Sequence, residues 1–242
     1  MTARAECPIT NVTAASYTIP TDAPESDGTI SWDRTGLVIA EISAGGRTGL
    51  GYSYTSTMAA RLIASLLGPE LQGREALAIE ANWQATNQSV RNIGRPGIAA
   101  TAISALDIAL WDLKARLLDM QLFLLLPAAR QTVPVYGSGG FTSYDESKLC
   151  NQLGGWAEEG CAWVKMKVGR APDQDTGRVK AARGALGDVA LFVDANGGYD
   201  VKQALAFADA WGELGVTWFE EPVSSDDLEG LRRVRERAPS GM

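Results

Sequence analysis

From Val133 onward the chain alternates short apolar segments with longer helical ones, and that order is what most restricts its fold. Val133 to Tyr136, Trp163 to Val168, Ala190 to Asp194 and Val216 to Glu220 read as strands. Glu146 to Glu159, Asp173 to Leu186, Val201 to Leu214 and Leu228 to Arg237 read as helices between and after them. Strands joined through helices pair in parallel, because a crossover returns each strand in the same direction. The repeat is close to that of a (β/α)₈ barrel, in which roughly 250 residues serve eight units. About four units are visible, so the expectation is an incomplete TIM-type barrel, cut mid-barrel at Met242. A doubly wound sheet also alternates in this way, but it opens its ligand chemistry with a glycine-rich phosphate turn. Gly137-Ser138-Gly139-Gly140 matches that turn weakly, lacking the third glycine at its proper offset.

Polar residues sit at the ends of these strands. Lys165 and Lys167 flank Met166, Asp194 and Asn196 flank Ala195, and Glu220-Glu221 precedes Pro222. The spacing is 27 residues from Lys167 to Asp194 and 26 from Asp194 to Glu220. Each motif alone has a plain structural explanation: a solvated edge for the lysines, a turn for Asp-Ala-Asn-Gly-Gly, a helix N-terminus for the glutamates. None of these explains why basic and acidic ends arrive on successive strands at one face, the face where barrel enzymes keep their chemistry. Strand parity turns Val164, Met166 and Val168 outward onto helices and Lys165 and Lys167 inward together. Two buried ammonium groups are costly unless anions meet them.

The first half reads as α+β. Ile9 to Ile19 and Gly36 to Ile42 suit strands, and Ala44-Gly45-Gly46-Arg47 turns the second back into Thr48 to Tyr54. Thr55 to Leu67, Glu75 to Trp83 and Ile98 to Leu118 read as helices, the last with Ile103, Leu106, Leu110, Leu113 and Leu117 on one stripe. Pro20 to Gly28, polar and punctuated by Pro and Gly, is expected to be a mobile loop. The domains expected are an α+β domain over residues 1–130 and the start of the barrel over residues 131–242.

Composition closes off several functions. A net charge of -7 without clustered Lys or Arg argues against nucleic acid or an anionic membrane surface. The N-terminal residues lack the apolar core of a signal peptide, and no window reaches the length of a membrane span, so a cytoplasmic protein is expected. Three cysteines without Cys-x-x-Cys spacing suggest neither a disulfide framework nor a zinc site. The absence of histidine removes any Ser-His or Cys-His nucleophile within these residues.

Together, Lys165-Met166-Lys167, Asp194-Ala195-Asn196, Glu220-Glu221-Pro222 and the helix from Ala102 to Arg116 resemble the enolase superfamily, in its mandelate racemase and muconate lactonizing branch. The resemblance covers essentially the whole chain and departs from the family at Met120 to Pro127, where the domain junction is altered. It implies an α+β capping domain whose loops, around Pro20 to Gly28 and Gly49 to Thr55, close over the barrel mouth. It implies a Mg²⁺ ion bound by carboxylates on three successive strands, of which Asp194 and Glu220 match the first two. Lys167 would be the base taking the proton α to a carboxylate, and Lys165 would neutralise that carboxylate. Asn196 and Ser138 match or lie near substrate-contacting positions.

The partner so implied is a small carboxylate resembling an acid sugar. Dehydration is the preferred reaction, from the Trp218-Phe219-Glu220-Glu221-Pro222 form, with racemisation, epimerisation or cycloisomerisation as alternatives. The third metal ligand and the opposite acid or base fall on later strands, so the chain alone is expected to be inactive. A non-catalytic remnant acting through self-association is the alternative from another class, and open strand edges favour a homo-oligomer.

Overall fold

The structure is a computed structural model that describes residues 6–126 and 129–239. The expectations resting on Met1 to Ala5, and the Pro127 end of the altered junction, lie outside those residues. The chain divides into two compact units, one of residues up to Pro20 with Arg34–Gln131, the other of Thr21–Asp33 with the residues from Thr132 onward.

The first unit is built on strands β1 (Ile9–Ser26), β2 (Ser31–Ala44) and β3 (Arg47–Tyr54), in the order β1-β2-β3. The Gly45-Gly46 turn, with φ of 54° and 72°, joins β2 to β3 in an antiparallel hairpin. Both values are left-handed, the conformation such a tight turn requires. Short helical segments follow: α1 (Met58–Leu62), a π-helical turn over Ile63–Leu67, α2 (Gly68–Leu71) and α3 (Ile79–Ser89). Helix α4 (Ile98–Leu117) then lays its buried stripe of Ala102, Leu106, Ala109, Leu110 and Leu113 along the sheet. Its approach is close because β3 offers no side chains there. A Cβ on Gly51 would lie 2.0 Å from the Ala105 carbonyl oxygen, and one on Gly49 would lie 2.2 Å from that of Ala109. Gly49 to Tyr54 is therefore a strand under a helix and not the loop expected from the resemblance. Helix α5 (Leu122–Leu125) is a single turn.

The second unit carries a parallel sheet in the order β4-β5-β6-β7: Gly137–Gly139, Trp163–Lys167, Ala190–Asp194 and Val216–Glu220. Helices α6 (Glu146–Glu158), α7 (Pro172–Leu186), α8 (Val201–Gly212) and α9 (Leu228–Arg237) follow the strands in turn. This is the α+β unit and β/α barrel-type order expected from the sequence. Local chemistry sets the helix starts: Asp145 accepts the Lys148 amide, Asp200 forms a capping box with Gln203, and Asp227 accepts the Gly230 amide. Val164, Met166, Val168, Leu191 and Val193 are wholly buried against Leu149, Leu153, Val179 and Ala182 of the helices.

Two further expectations are corrected. The first barrel strand is Gly137–Gly139, and Val133 to Tyr136 precedes it without strand pairing. Val133 and Val135 are two thirds exposed, and Pro134 has no amide to give a ladder. The glycines belong to the strand because Trp156 of α6 lies on them: a Cβ on Gly137 would sit 2.4 Å from its ring. Gly137-Ser138-Gly139 is thus a pressed strand, not a phosphate turn. Pro20 to Gly28, expected to be mobile, is strand through Ser26 and is pinned beyond it. Prolines are tolerated because β1 is an edge strand. Ser26 Oγ lies 2.6 Å from Thr142 Oγ1, which also donates to the Asp27 carbonyl at 2.9 Å. Ser26 and Asp27 are buried in consequence. No helix among the described residues is long and apolar enough to cross a membrane.

Candidate active site

Adjacent parallel strands in register bring equivalent ends side by side, and here the register pairs Lys167 with Asp194 and Asp194 with Glu220. Lys165 pairs with Ser138 on one side and Phe192 on the other. Because side chains alternate along a strand, these residues share the face opposite the helix-packed Val164 and Met166.

On that face four charges meet. Lys165 Nζ donates to both Glu220 carboxylate oxygens at 2.8 Å and lies 3.3 Å from Asp194 Oδ2. Lys167 Nζ donates to the same Asp194 oxygen at 2.7 Å. The Lys165 and Asp194 side chains are 7% and 2% exposed, so this is an interior network and not a surface one. Burial opposes the Lys165 ammonium, but the Glu220 hydrogen bond and the Asp194 charge outweigh it and hold its pKa above the ordinary lysine value. The anions that the sequence reading required of the two inward lysines are present.

Asn196 takes the turn after β6 with φ of 48°, and its amide donates to Asp194 Oδ1 at 3.0 Å. Its side-chain nitrogen donates to Glu221 at 3.2 Å, while its Oδ1 is buried with no partner among the described residues. Ser138 is exposed beside Lys165 in the register and belongs to none of these contacts.

Three neighbours join the site without a role assigned from the sequence, Trp218 and Glu221 having been named there only within their motif. The Tyr136 ring lies 5.4 Å from Lys165 Nζ, Trp218 Nε1 donates to Glu220 at 3.3 Å, and Glu221 holds a left-handed φ of 41°. Tyr136 and Trp218 have the parity of Ser138 and Glu220, so the alternation that turned the lysines inward would have found them.

The donor set suits a hard divalent cation. Asp194 and Glu220 already converge on one positive charge, and the unpartnered Asn196 oxygen lies next to the Asp194 turn. Carboxylate and amide oxygens are what Mg²⁺ or Ca²⁺ takes as ligands. Among the described residues no group of three or more His, Cys, Asp or Glu side chains forms a ready cluster, so Asp194 and Glu220 would be two ligands of a larger set.

Comparison with known proteins points the same way. Residues 10–126 match the mandelate racemase / muconate lactonizing enzyme N-terminal domain, and residues 148–241 match the enolase C-terminal domain-like family. The chain is 36% identical over 223 residues to the 3,6-anhydro-alpha-L-galactonate cycloisomerase of Streptomyces coelicolor, covering 89% of this chain and 62% of that protein. It is 33% identical to the L-talarate/galactarate dehydratase of Salmonella typhimurium, covering 88% of this chain and 56% of that protein. A mandelate racemase/muconate lactonizing enzyme-like protein from Rubrobacter xylanophilus superimposes with a TM-score of 0.94 at 52% identity, covering 97% of this chain and 66% of that one. A racemase from Streptomyces coelicolor with bound magnesium superimposes with a TM-score of 0.90 at 35% identity, covering 95% and 67%. The chain thus spans about three fifths of the length of the curated relatives it matches.

Proposed function

The chain belongs to the mandelate racemase and muconate lactonizing branch of the enolase superfamily, and on that premise we propose that it serves magnesium-dependent removal of the proton α to a small carboxylate, with an acid sugar as substrate and dehydration as the outcome. The observation that carries this reading is the meeting of Lys165, Lys167, Asp194 and Glu220 within 3.3 Å on adjacent strand ends. The acid-sugar names of the cycloisomerase and dehydratase relatives support the substrate class.

Each residue has a role its chemistry allows. Lys167, after giving up one proton of its ammonium to solvent, accepts the α-proton at Nζ, and Asp194, 2.7 Å away, stabilises the ammonium that forms again. Lys165 stays charged, as its raised pKa requires, and pairs with the substrate carboxylate into which the carbanion electrons delocalise. The β-hydroxyl then leaves as water, taking back the proton that Lys167 accepted, and the resulting enol tautomerises to the keto acid. Asn196 offers its unpartnered oxygen to a substrate hydroxyl. Asp194 and Glu220 would hold magnesium, which when bound supplies positive charge beside the developing dianion. The residues from Thr132 onward form the catalytic domain and the first α+β unit the capping domain in this reading.

The test is proton NMR of acid sugars in D₂O with magnesium. Loss of the α-proton signal with appearance of a keto acid that carries solvent deuterium at the former β-carbon is expected, and Lys167→Ala should slow both by about 10³-fold. Neither loss of the α-proton nor a keto acid from any acid sugar, tested with the later strands supplied by the full-length protein, would overturn the proposal, while α-exchange without loss of water would redirect it to racemisation or epimerisation.

A second reading, self-association without catalysis, draws on the exposed Tyr136, Trp163 and Trp218 rings. Light scattering with and without magnesium separates the two: a monomer that binds magnesium tightly contradicts it.

A further inference from the structure

We propose that Asp175 is a positioning residue that ties the turn after β5 to the turn after β6, and so fixes the Lys167 amine against the Asp194 carboxylate. This rests on the reading of Lys167 as the base. Asp175 lies in the first turn of α7, is 1% exposed, and touches none of the four charges at the strand ends. One of its oxygens, Oδ2, accepts the Gly169 amide at 2.9 Å and the Tyr199 hydroxyl at 2.5 Å. Gly169 is two residues past Lys167, and Tyr199 is five past Asp194. A single oxygen held on a helix thereby gathers the continuations of both strands.

A merely favourable charge at a helix N-terminus needs no burial, since an exposed Asp meets the dipole at less cost. Burial raises the Asp175 pKa, while the two donors and the nearby Arg178 charge pull it back. Arg178 is engaged elsewhere, donating to the Tyr144 and Phe141 carbonyls at 2.7 and 3.1 Å. The carboxylate is kept in an expensive place where its distinct product is the joining of two turns.

Those turns have little room to move. Gly169 has φ of 100°, and a Cβ there would lie 2.9 Å from the Ala195 carbonyl oxygen and 3.1 Å from Gly28 Cα. A Cβ on Gly198 would meet the same oxygen at 2.9 Å and Gly169 Cα at 3.2 Å. The far anchor is equally fixed: the Tyr199 ring is 4.8 Å from Phe207 and 6.2 Å from both Trp211 and Phe219. With backbone on backbone, no side-chain rotation can absorb a shift, so whatever movement the loss of Asp175 allows passes to the strand ends. A displacement of about 1 Å at a reacting group can cost about 100-fold in rate.

Three variants test this. Asp175→Ala removes both bonds, Tyr199→Phe removes one and keeps the ring packing, and Asp175→Asn keeps a carbonyl oxygen able to accept both donors. Amide hydrogen exchange, read without substrate, should quicken by about tenfold across residues 165–169 and 194–199 in Asp175→Ala, and less in Tyr199→Phe, with α9 unchanged. In α-proton exchange with magnesium, kcat should fall by about 100-fold with KM nearly constant, and Asp175→Asn should recover most of both effects. Should Asp175→Ala fail to fold, Tyr199→Phe and Asp175→Asn carry the same comparison. Unaltered protection in both segments of Tyr199→Phe, or a uniform loss that Asp175→Asn does not repair, overturns the clamp. Absence of α-proton removal by the unsubstituted full-length protein overturns the reading of Lys167 instead, while hydrogen exchange still judges the clamp, so the two failures are told apart.

Discussion

Two charge networks in the second unit have similar geometry and opposite settings. On α9, Arg232 reaches Glu229 and Glu236 at 2.6 Å each, with side chains 49%, 64% and 50% exposed. At the strand ends Lys165 and Lys167 reach Asp194 and Glu220 at 2.7 to 3.3 Å, with Asp194 and Lys165 almost wholly buried. By distance alone the surface network is the tighter. Water decides otherwise: exposed pairs are screened and lose side-chain entropy, so they add little, whereas a buried charge deprived of its partner has no solvent to turn to. Burying charges is also a poor way to gain stability, because well-packed apolar groups commonly do as well. A buried network of two lysines and two acids therefore asks for a chemical explanation, and the α9 network does not.

The sharpest way to break this contrast is to remove the shared partner. Asp194→Ala leaves Lys167 without its carboxylate and Lys165 with only Glu220. The expected loss is about 3 to 5 kcal/mol in urea-induced unfolding. A loss below about 1 kcal/mol would mean that water reaches the strand ends as freely as it reaches α9.

The same contrast in burial separates what was legible in the sequence from what was not. Strands β5, β6 and β7 could be read because apolar runs ended in charges at regular spacing, and parity alone turned the lysines to one face. β4 was misplaced because strand propensity favours Val133 and Val135 over glycine, while the deciding contact, Trp156 lying on Gly137, is a tertiary one. The same holds for Pro20 to Gly28: its composition says loop, but its course is set by Thr142 far along the chain. The four charges could be named from the sequence as separate strand ends, whereas their pairing depended on a register no single segment carries. Asp175 was invisible, since an acid in a first helical turn is ordinary until its burial is known.

A smaller effect, with a sign set by pH, is expected for Lys165→Met. The Lys165 pKa is raised in the folded protein because the Glu220 hydrogen bond and Asp194 outweigh desolvation. A group whose folded pKa is raised stabilises fully below its unfolded value, near 10.4 for lysine, and loses that contribution as pH rises through the folded value. The unsubstituted protein should therefore exceed Lys165→Met in stability by an amount that stays constant from pH 6 to about 9 and shrinks in stronger alkali. Unfolding midpoints at about pH 7, 9 and 11 check this. A difference that grows with pH would mean that desolvation, not Glu220 and Asp194, governs Lys165.

The smallest effect belongs to α9 and completes the comparison. Arg232→Ala removes two ion pairs shorter than any at the strand ends, yet both sit in water. The helix keeps its Asp227 cap and the buried contact of Val234. Its thermal midpoint should be indistinguishable from that of the parent at physiological salt, and any difference at low salt should vanish as ionic strength rises. A salt-insensitive drop as large as that of Asp194→Ala would show that proximity, and not burial, ranks the charges of this protein.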